Sequence, residues 1–117
     1  MSTFRMFLNQ ESRPFAKGDT IFQKGDPADR MFIIAEGEVE ISIGDRVAEV
    51  LGPEMIFGEM ALVTHEPRSG TARAHTDCRL IEIPERRFLF LTERTPNFAL
   101  DVMRVIAERL RRRDPVS

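Results

Sequence analysis

Glycine is confined to the middle of this chain. All seven glycines, at positions 18, 25, 37, 44, 52, 58 and 70, fall within the first 70 residues, and the 47 that follow contain none. Glycine reaches positive φ without steric cost, so recurrence about every six to twelve residues marks tight turns between short strands. The intervening segments agree. Met31-Phe32-Ile33-Ile34 is an apolar run of β-formers, and Glu38-Val39-Glu40-Ile41-Ser42-Ile43 alternates polar and apolar with the period of a strand. Gly44-Asp45 reads as a hairpin turn into Val47-Ala48-Glu49-Val50-Leu51. Leu80-Ile81-Glu82-Ile83 reads as a closing strand before Pro84.

From Pro84 the period changes. Pro84-Glu85 opens a helix, because proline fits the first turn and an acidic side chain suits the positive end of the dipole. Thr95-Pro96 opens a second, with Thr95 as N-cap. Phe98, Val102, Ile106 and Leu110 repeat at i, i+4 and predict its buried stripe, widened by Met103 and Val105. Arg109, Arg111, Arg112 and Arg113 suit the helix's negative end and read as a helix terminus in water. Pro115 prevents continuation. Short strands followed by helices predict an α+β fold, an antiparallel β-roll or barrel with C-terminal helices. Residues 1–17 are the least patterned and are expected to be partly loose.

Length and charge narrow the partners. With 117 residues the chain is one domain, and 17 Lys plus Arg against 19 Asp plus Glu give a net charge of −2. No basic field exists to hold nucleic acid from this chain alone. The single Cys78 forms no internal disulfide, and with two histidines it leaves little material for a metal or iron–sulfur site. Cys78 reads as a small core residue, and His65 and His75 as solvated. No signal-peptide core opens the chain, and no apolar run approaches the ~20 residues of a membrane span. A cytoplasmic protein that meets no membrane is the expectation.

Residues 57–74 break the strand rhythm. Gly58 opens a short run of helix formers, Glu59-Met60-Ala61-Leu62, and Pro67 delivers Arg68 beside the small residues Ser69, Gly70 and Thr71. Small residues admit a ligand close to the backbone. Helix-start amides favour an anion, and an arginine grips phosphate in bidentate fashion. Glu59 repels phosphate but accepts from a hydroxyl. Anion and hydroxyl together suggest a sugar phosphate or a nucleotide. Taken alone, Glu59 and Arg68 would equally read as an ion pair.

The stretch Phe57-Gly58-Glu59-Met60-Ala61-Leu62, followed by Pro67-Arg68-Ser69-Gly70-Thr71, resembles the phosphate-binding cassette of the cyclic nucleotide-binding domain family. Upstream, Lys17-Gly18-Asp19-Thr20-Ile21-Phe22, Lys24-Gly25-Asp26-Pro27 and Gly37-Glu38-Val39-Glu40-Ile41 resemble the glycines and strands of its β-roll. The resemblance covers roughly residues 13–112 and implies a jelly-roll-like double-stranded β-helix with a short phosphate-binding helix. It implies the layout 1–12 extension, 13–83 roll with cassette 57–74, and 84–114 C-terminal helices. By that resemblance Arg68 pairs with the cyclic phosphate and Glu59 accepts from the ribose 2′-hydroxyl. Backbone amides near Met60, Ala61 and Ser69 complete the phosphate cradle, Phe57, Gly58, Gly70 and Thr71 are further ligand-binding positions, and Ile41, Ala48 and Val50 are candidates for the wall beside the purine. Arg112 or Arg113 is left to stack on the base. Among the departures, Glu54-Met55 stands where the family usually has Gly-Asp or Gly-Glu, and Gly70 replaces a common Ala, which loosens the backbone.

The implied ligand is cAMP or cGMP, and Ser69 does not settle which. No cofactor is expected, and no nucleophile–base pair or paired catalytic carboxylates argue for an enzyme. The leading expectation is a stand-alone sensor that binds a cyclic nucleotide and signals by movement of its C-terminal helices, to a second copy or an effector protein. The alternatives are the ligand-sensing part of a catabolite-activator-type transcription regulator, and a non-binding relic of the fold used for partner docking.

Overall fold

The computed structural model describes residues 3–113, the last of them in backbone only. Pro115 and the side chain of Arg113 lie outside the described residues. Among the described residues, eight strands and three α-helices follow a 3-10 helix at Thr3–Phe7. The strands are β1 (Arg13–Phe15), β2 (Thr20–Phe22), β3 (Arg30–Glu36), β4 (Val39–Ile43), β5 (Arg46–Leu51), β6 (Ile56–Phe57), β7 (Thr71–Ala74) and β8 (Cys78–Pro84). The helices are α1 (Glu59–Thr64), α2 (Glu85–Arg94) and α3 (Pro96–Arg113). Two four-stranded sheets, ordered β1-β8-β3-β6 and β2-β7-β4-β5, face each other as an antiparallel roll. The expected fold class holds.

β3 explains why the chain folds around it. Met31, Phe32, Ile33 and Ile34 are all buried, so neither face of this strand meets water. Phe32 and Ile34 pack inside the roll with Val39, Leu51, Phe57, Ala72 and Leu80. Met31 and Ile33 face outward and pack with Ile81, Ile83, Leu91, Phe98 and Val102 beneath the helices. Within the roll, the rings of Phe32 and Phe57 stack at 4.9 Å, a contact worth about 0.5–1.5 kcal/mol beyond the area it buries.

Three expectations are corrected. From Thr3 onward the N-terminal segment is not loose: Phe4 and Phe7 are buried, each edge-on to Phe98 of α3, and Asp101 accepts from the Thr3 amide at 2.6 Å. Residues 57–74 contain strand as well as helix, because β7 pairs with both β2 and β4. The buried stripe of α3 is also not the one expected. Phe98 and Val102 are core, Ile106 is half-buried, and Leu110 is 50 % exposed. Thr95 joins the two helices through its backbone, donating to the Leu91 carbonyl and accepting from the amides of Phe98 and Ala99.

Candidate nucleotide-binding site

β6, α1 and the segment before β7 surround an open cavity of about 220 Å³. Phe57, Gly58, Glu59, Met60, Ala61, Arg68, Ser69, Gly70 and Ile41 line it, so nine of the twelve residues expected to touch ligand converge there. Phe22, Ile43, Glu49 and Arg109 join them.

Arg68 is positioned from both sides. Its amide donates to the Asp26 carbonyl at 2.9 Å and its own carbonyl accepts from Gly25 at 2.8 Å, which pins the backbone to the turn after β2. One terminal guanidinium nitrogen donates to the Gly58 carbonyl at 2.7 Å and the other to the Arg30 carbonyl at 2.6 Å. The guanidinium stacks over Phe22, 4.2 Å from the ring centre. The residue is only 4 % exposed, and its Nε has no hydrogen-bond partner among the described residues. Burial pushes its pKa below the usual arginine value; Asp29 pulls it back up, Arg30 lowers it further, and Asp26 again raises it. Arginine stays charged through such a shift. The result is a buried cation whose direct partners are neutral carbonyls.

Gly58 permits this arrangement. Its φ of 81° lies in the left-handed region, and a Cβ there would meet the Arg68 Nη1 at 2.8 Å. Gly70 is not simply loose, as the sequence suggested. A Cβ at Gly70 would stand 2.7 Å from the Ser42 carbonyl oxygen, so the bare backbone lets the approach to β7 pass close to β4. The turn before the cassette keeps its left-handed residue without glycine: Glu54 adopts φ 72° and donates its amide to the Ile34 carbonyl at 2.8 Å.

Glu59 does not pair with Arg68. It is 1 % exposed, and Arg109 of α3 donates to its Oε1 while the Met60 amide donates to its Oε2 at 3.1 Å. The second terminal nitrogen of Arg109 donates to the Ile56 carbonyl. Each carboxylate oxygen has a second lone pair, so Glu59 can still accept from a ligand hydroxyl. The sequence places Arg109 at a helix end in water; the structure makes it a largely buried member of the site.

The wall opposite the cassette also differs. The β4–β5 ladder sets Val39 against Leu51 in the core, Glu40 against Val50, and Ile41 against Glu49. Directly opposed residues share a face, so Glu49 joins Ile41 at the cavity and Val50 turns away. Ala48 is the extra residue of an irregularity between the Ile41–Glu49 and Ser42–Val47 pairs, and it is exposed. Ile43 and Glu49 therefore take the places expected of Ala48 and Val50. Thr71 also misses the cavity, since its hydroxyl accepts from the Lys24 amide at 3.2 Å. Arg112 reaches the site only through Glu49, at 2.8 Å.

Other chemistry is sparse. Among the described residues no three His, Cys, Asp or Glu side chains converge as metal ligands. Cys78 is buried, and burial, then Asp77 and Asp19, push its thiol pKa up, which suits a core residue. His75 contacts Glu40 at 3.1 Å on the surface. No described helix is long and apolar enough to cross a membrane.

The model of the cyclic nucleotide-binding domain matches residues 12–95. The chain belongs to that family. It is 39 % identical over 88 residues to a cyclic nucleotide-gated potassium channel of Mesorhizobium japonicum, covering 75 % of this chain and 24 % of the channel. The catabolite activator protein of Thermus thermophilus superimposes with a TM-score of 0.81 at 32 % identity, over 89 % of this chain and 51 % of that one. A structure described as "A cyclic-GMP-dependent signalling pathway regulates bacterial phytopathogenesis" has the same TM-score, 0.81, at 30 % identity over 94 % of both chains. The domain thus spans a quarter of the channel and half of the activator, but nearly all of the third protein.

Proposed function

We propose that this domain senses a cyclic purine nucleotide and passes the signal through α3. Arg68 carries the reading. A buried guanidinium bonded only to neutral carbonyls, with an unpartnered Nε, is an incomplete anion site, and a cyclic phosphate completes it. Glu59 accepts from the ribose 2′-hydroxyl, and the purine lies along Ile41 and Ile43. The ligand is cAMP or cGMP, the chemistry named for the similar proteins.

Arg109 supplies the link to the helix. The cavity of about 220 Å³ is below the ~300 Å³ at which small-molecule pockets usually begin, and Arg109 stands in it. A nucleotide that engages Glu59 therefore contends with the contact that holds the end of α3. Differential affinity for the held and released arrangements is what shifts the helix. The exposed Leu100, Met103 and Leu110 form the face of α3 on which a second copy or an effector protein docks. The working unit is one cytoplasmic, non-catalytic sensing domain: roll 13–83 with cassette 57–74, and output helices from 84 to 114.

Calorimetric titration with cAMP and cGMP tests this. Binding is expected, and Arg68→Ala is expected to weaken it by roughly 2–5 kcal/mol, since the buried phosphate loses its charged partner. Equal binding by the variant would refute the cradle. Absence of heat and of thermal stabilisation with both nucleotides would favour a docking module that has lost its ligand.

A further inference from the structure

The roll end of the cavity carries one charged residue besides the cassette's own, and the phosphate and ribose contacts make no use of it. Glu49 lines the cavity from β5 beside Ile41 and Ile43, with its side chain 28 % exposed. Arg112 holds one carboxylate oxygen at 2.8 Å from outside, with its own side chain 61 % exposed. That contact orients the carboxylate and leaves its other oxygen, and a lone pair on the first, unused.

We propose that Glu49 reads the base and selects guanine, so that the ligand is cGMP rather than cAMP. This rests on the cyclic-nucleotide reading above. With the phosphate on Arg68 and the ribose on Glu59, the purine extends to the wall formed by Ile41, Ile43 and Glu49. Two aliphatic side chains accept the flat face of either purine and do not discriminate. The carboxylate does. Guanine presents N1–H and the exocyclic amino group side by side, two adjacent donors that match two carboxylate oxygens. Adenine presents a lone pair at N1 beside its amino group, and that lone pair faces the negative oxygens. Selectivity then comes from one attractive pairing and one repulsive one. Arg112 is a positioning residue in this scheme, because it fixes Glu49 without touching the base.

The test is competition among cGMP, cIMP and cAMP for the purified protein, with Glu49→Gln beside the parent. Hypoxanthine keeps N1–H and lacks the exocyclic amino group, so the affinity order cGMP, cIMP, cAMP is expected. The preference for cGMP over cAMP should be roughly ten- to a hundred-fold, the discrimination usual for a bidentate base contact. Glu49→Gln should reduce that ratio by at least about ten-fold, chiefly by weakening cGMP and strengthening cAMP, because an amide offers adenine both a donor and an acceptor. Glu49 lies on an edge strand and is partly exposed, so the variant should fold, which its thermal melt will show. Equal or tighter binding of cAMP by the parent, or an unchanged ratio in the variant, overturns the base assignment and leaves the nucleotide reading intact. Binding of none of the three overturns both.

Discussion

A single backbone angle shows how this chain departs from a familiar solution without losing it. Glu54 holds φ at 72°, where a Cβ normally costs about 1–2 kcal/mol. Its amide bond to the Ile34 carbonyl fixes the turn that leads into β6 and the cassette. The side chain has only a loose contact with Arg5 at 3.8 Å, with both groups well exposed, which contributes little. Glu54→Gly removes the steric cost and adds the entropy cost of glycine, so a net stabilisation of about 0.5–1 kcal/mol is expected. Denaturant unfolding measures it. A loss of stability would show that the Arg5 contact or the side chain's packing outweighs the strain. Glu59 and Arg68 teach a related lesson. The family resemblance placed both in the cassette, but it did not show what each touches, because buried partners come from elements distant in sequence.

At the scale of the element, α3 shows where periodicity misleads. A helix turns about 100° per residue, so each i+4 step advances the side chain about 40° around the axis. From Phe98 through Val102 and Ile106 to Leu110 the stripe therefore walks about 120° off the face where it began, and Leu110 ends half-exposed. Spacing of four, three and four instead returns to the face of Phe98 and Val102, and it arrives at Arg109. The arginine's place was legible in the sequence as geometry but hidden by its chemistry, since a cation among arginines reads as solvent-facing. On β5 the resemblance set Ala48 and Val50 beside the purine, whereas ladder register puts Glu49 opposite Ile41. The glycine turns, the strand at residues 31–34 and the helix starts are local signals and were legible, whereas the burial of both faces of β3 depends on the helices that cover it. Arg109→Ala should cost about 3–5 kcal/mol in denaturant unfolding, because it leaves the Glu59 carboxylate buried without its cation. Adding Glu59→Gln should recover much of that loss, since no buried charge then lacks a partner. Failure of the second change to recover stability would mean that the Ile56 carbonyl contact of Arg109 dominates.

Across the whole molecule, α3 is held differently along its length. Its first half is anchored by Phe98 and Val102 in the core and by the aromatic edges of Phe4 and Phe7. Its second half packs Val105 and Ile106 against the edge of the same core and adds Arg109 and Arg112, contacts that reach into the site. A signal from the cavity therefore acts on the far half of the helix, while the near half serves as its fixed end. Asp101 belongs to that fixed end and joins it to the start of the chain, 98 positions away in sequence. Only 8 % exposed, it accepts from the Thr3 amide at 2.6 Å and from Arg104 at 3.0 Å. The Thr3 amide, and after it the Arg104 guanidinium, hold the carboxyl pKa below the ordinary aspartate value against the opposing effect of burial. A folded-state pKa below the unfolded one means that the ionised form is the stabilising form. Its contribution is complete above the unfolded value of about 3.9 and declines as pH falls through the lower folded value. Asp101→Ala should therefore cost about 1.5–3 kcal/mol near pH 6, the worth of a charge-assisted hydrogen bond. By pH 3 the gap between parent and variant should have narrowed, because the carboxyl of the unfolded parent, with its ordinary pKa, is then largely protonated and folding has to displace that proton. Urea unfolding at the two pH values reads the gap directly. A gap of the same size at both would show that Asp101 fastens the chain's start to α3 by packing alone, with no part played by its charge.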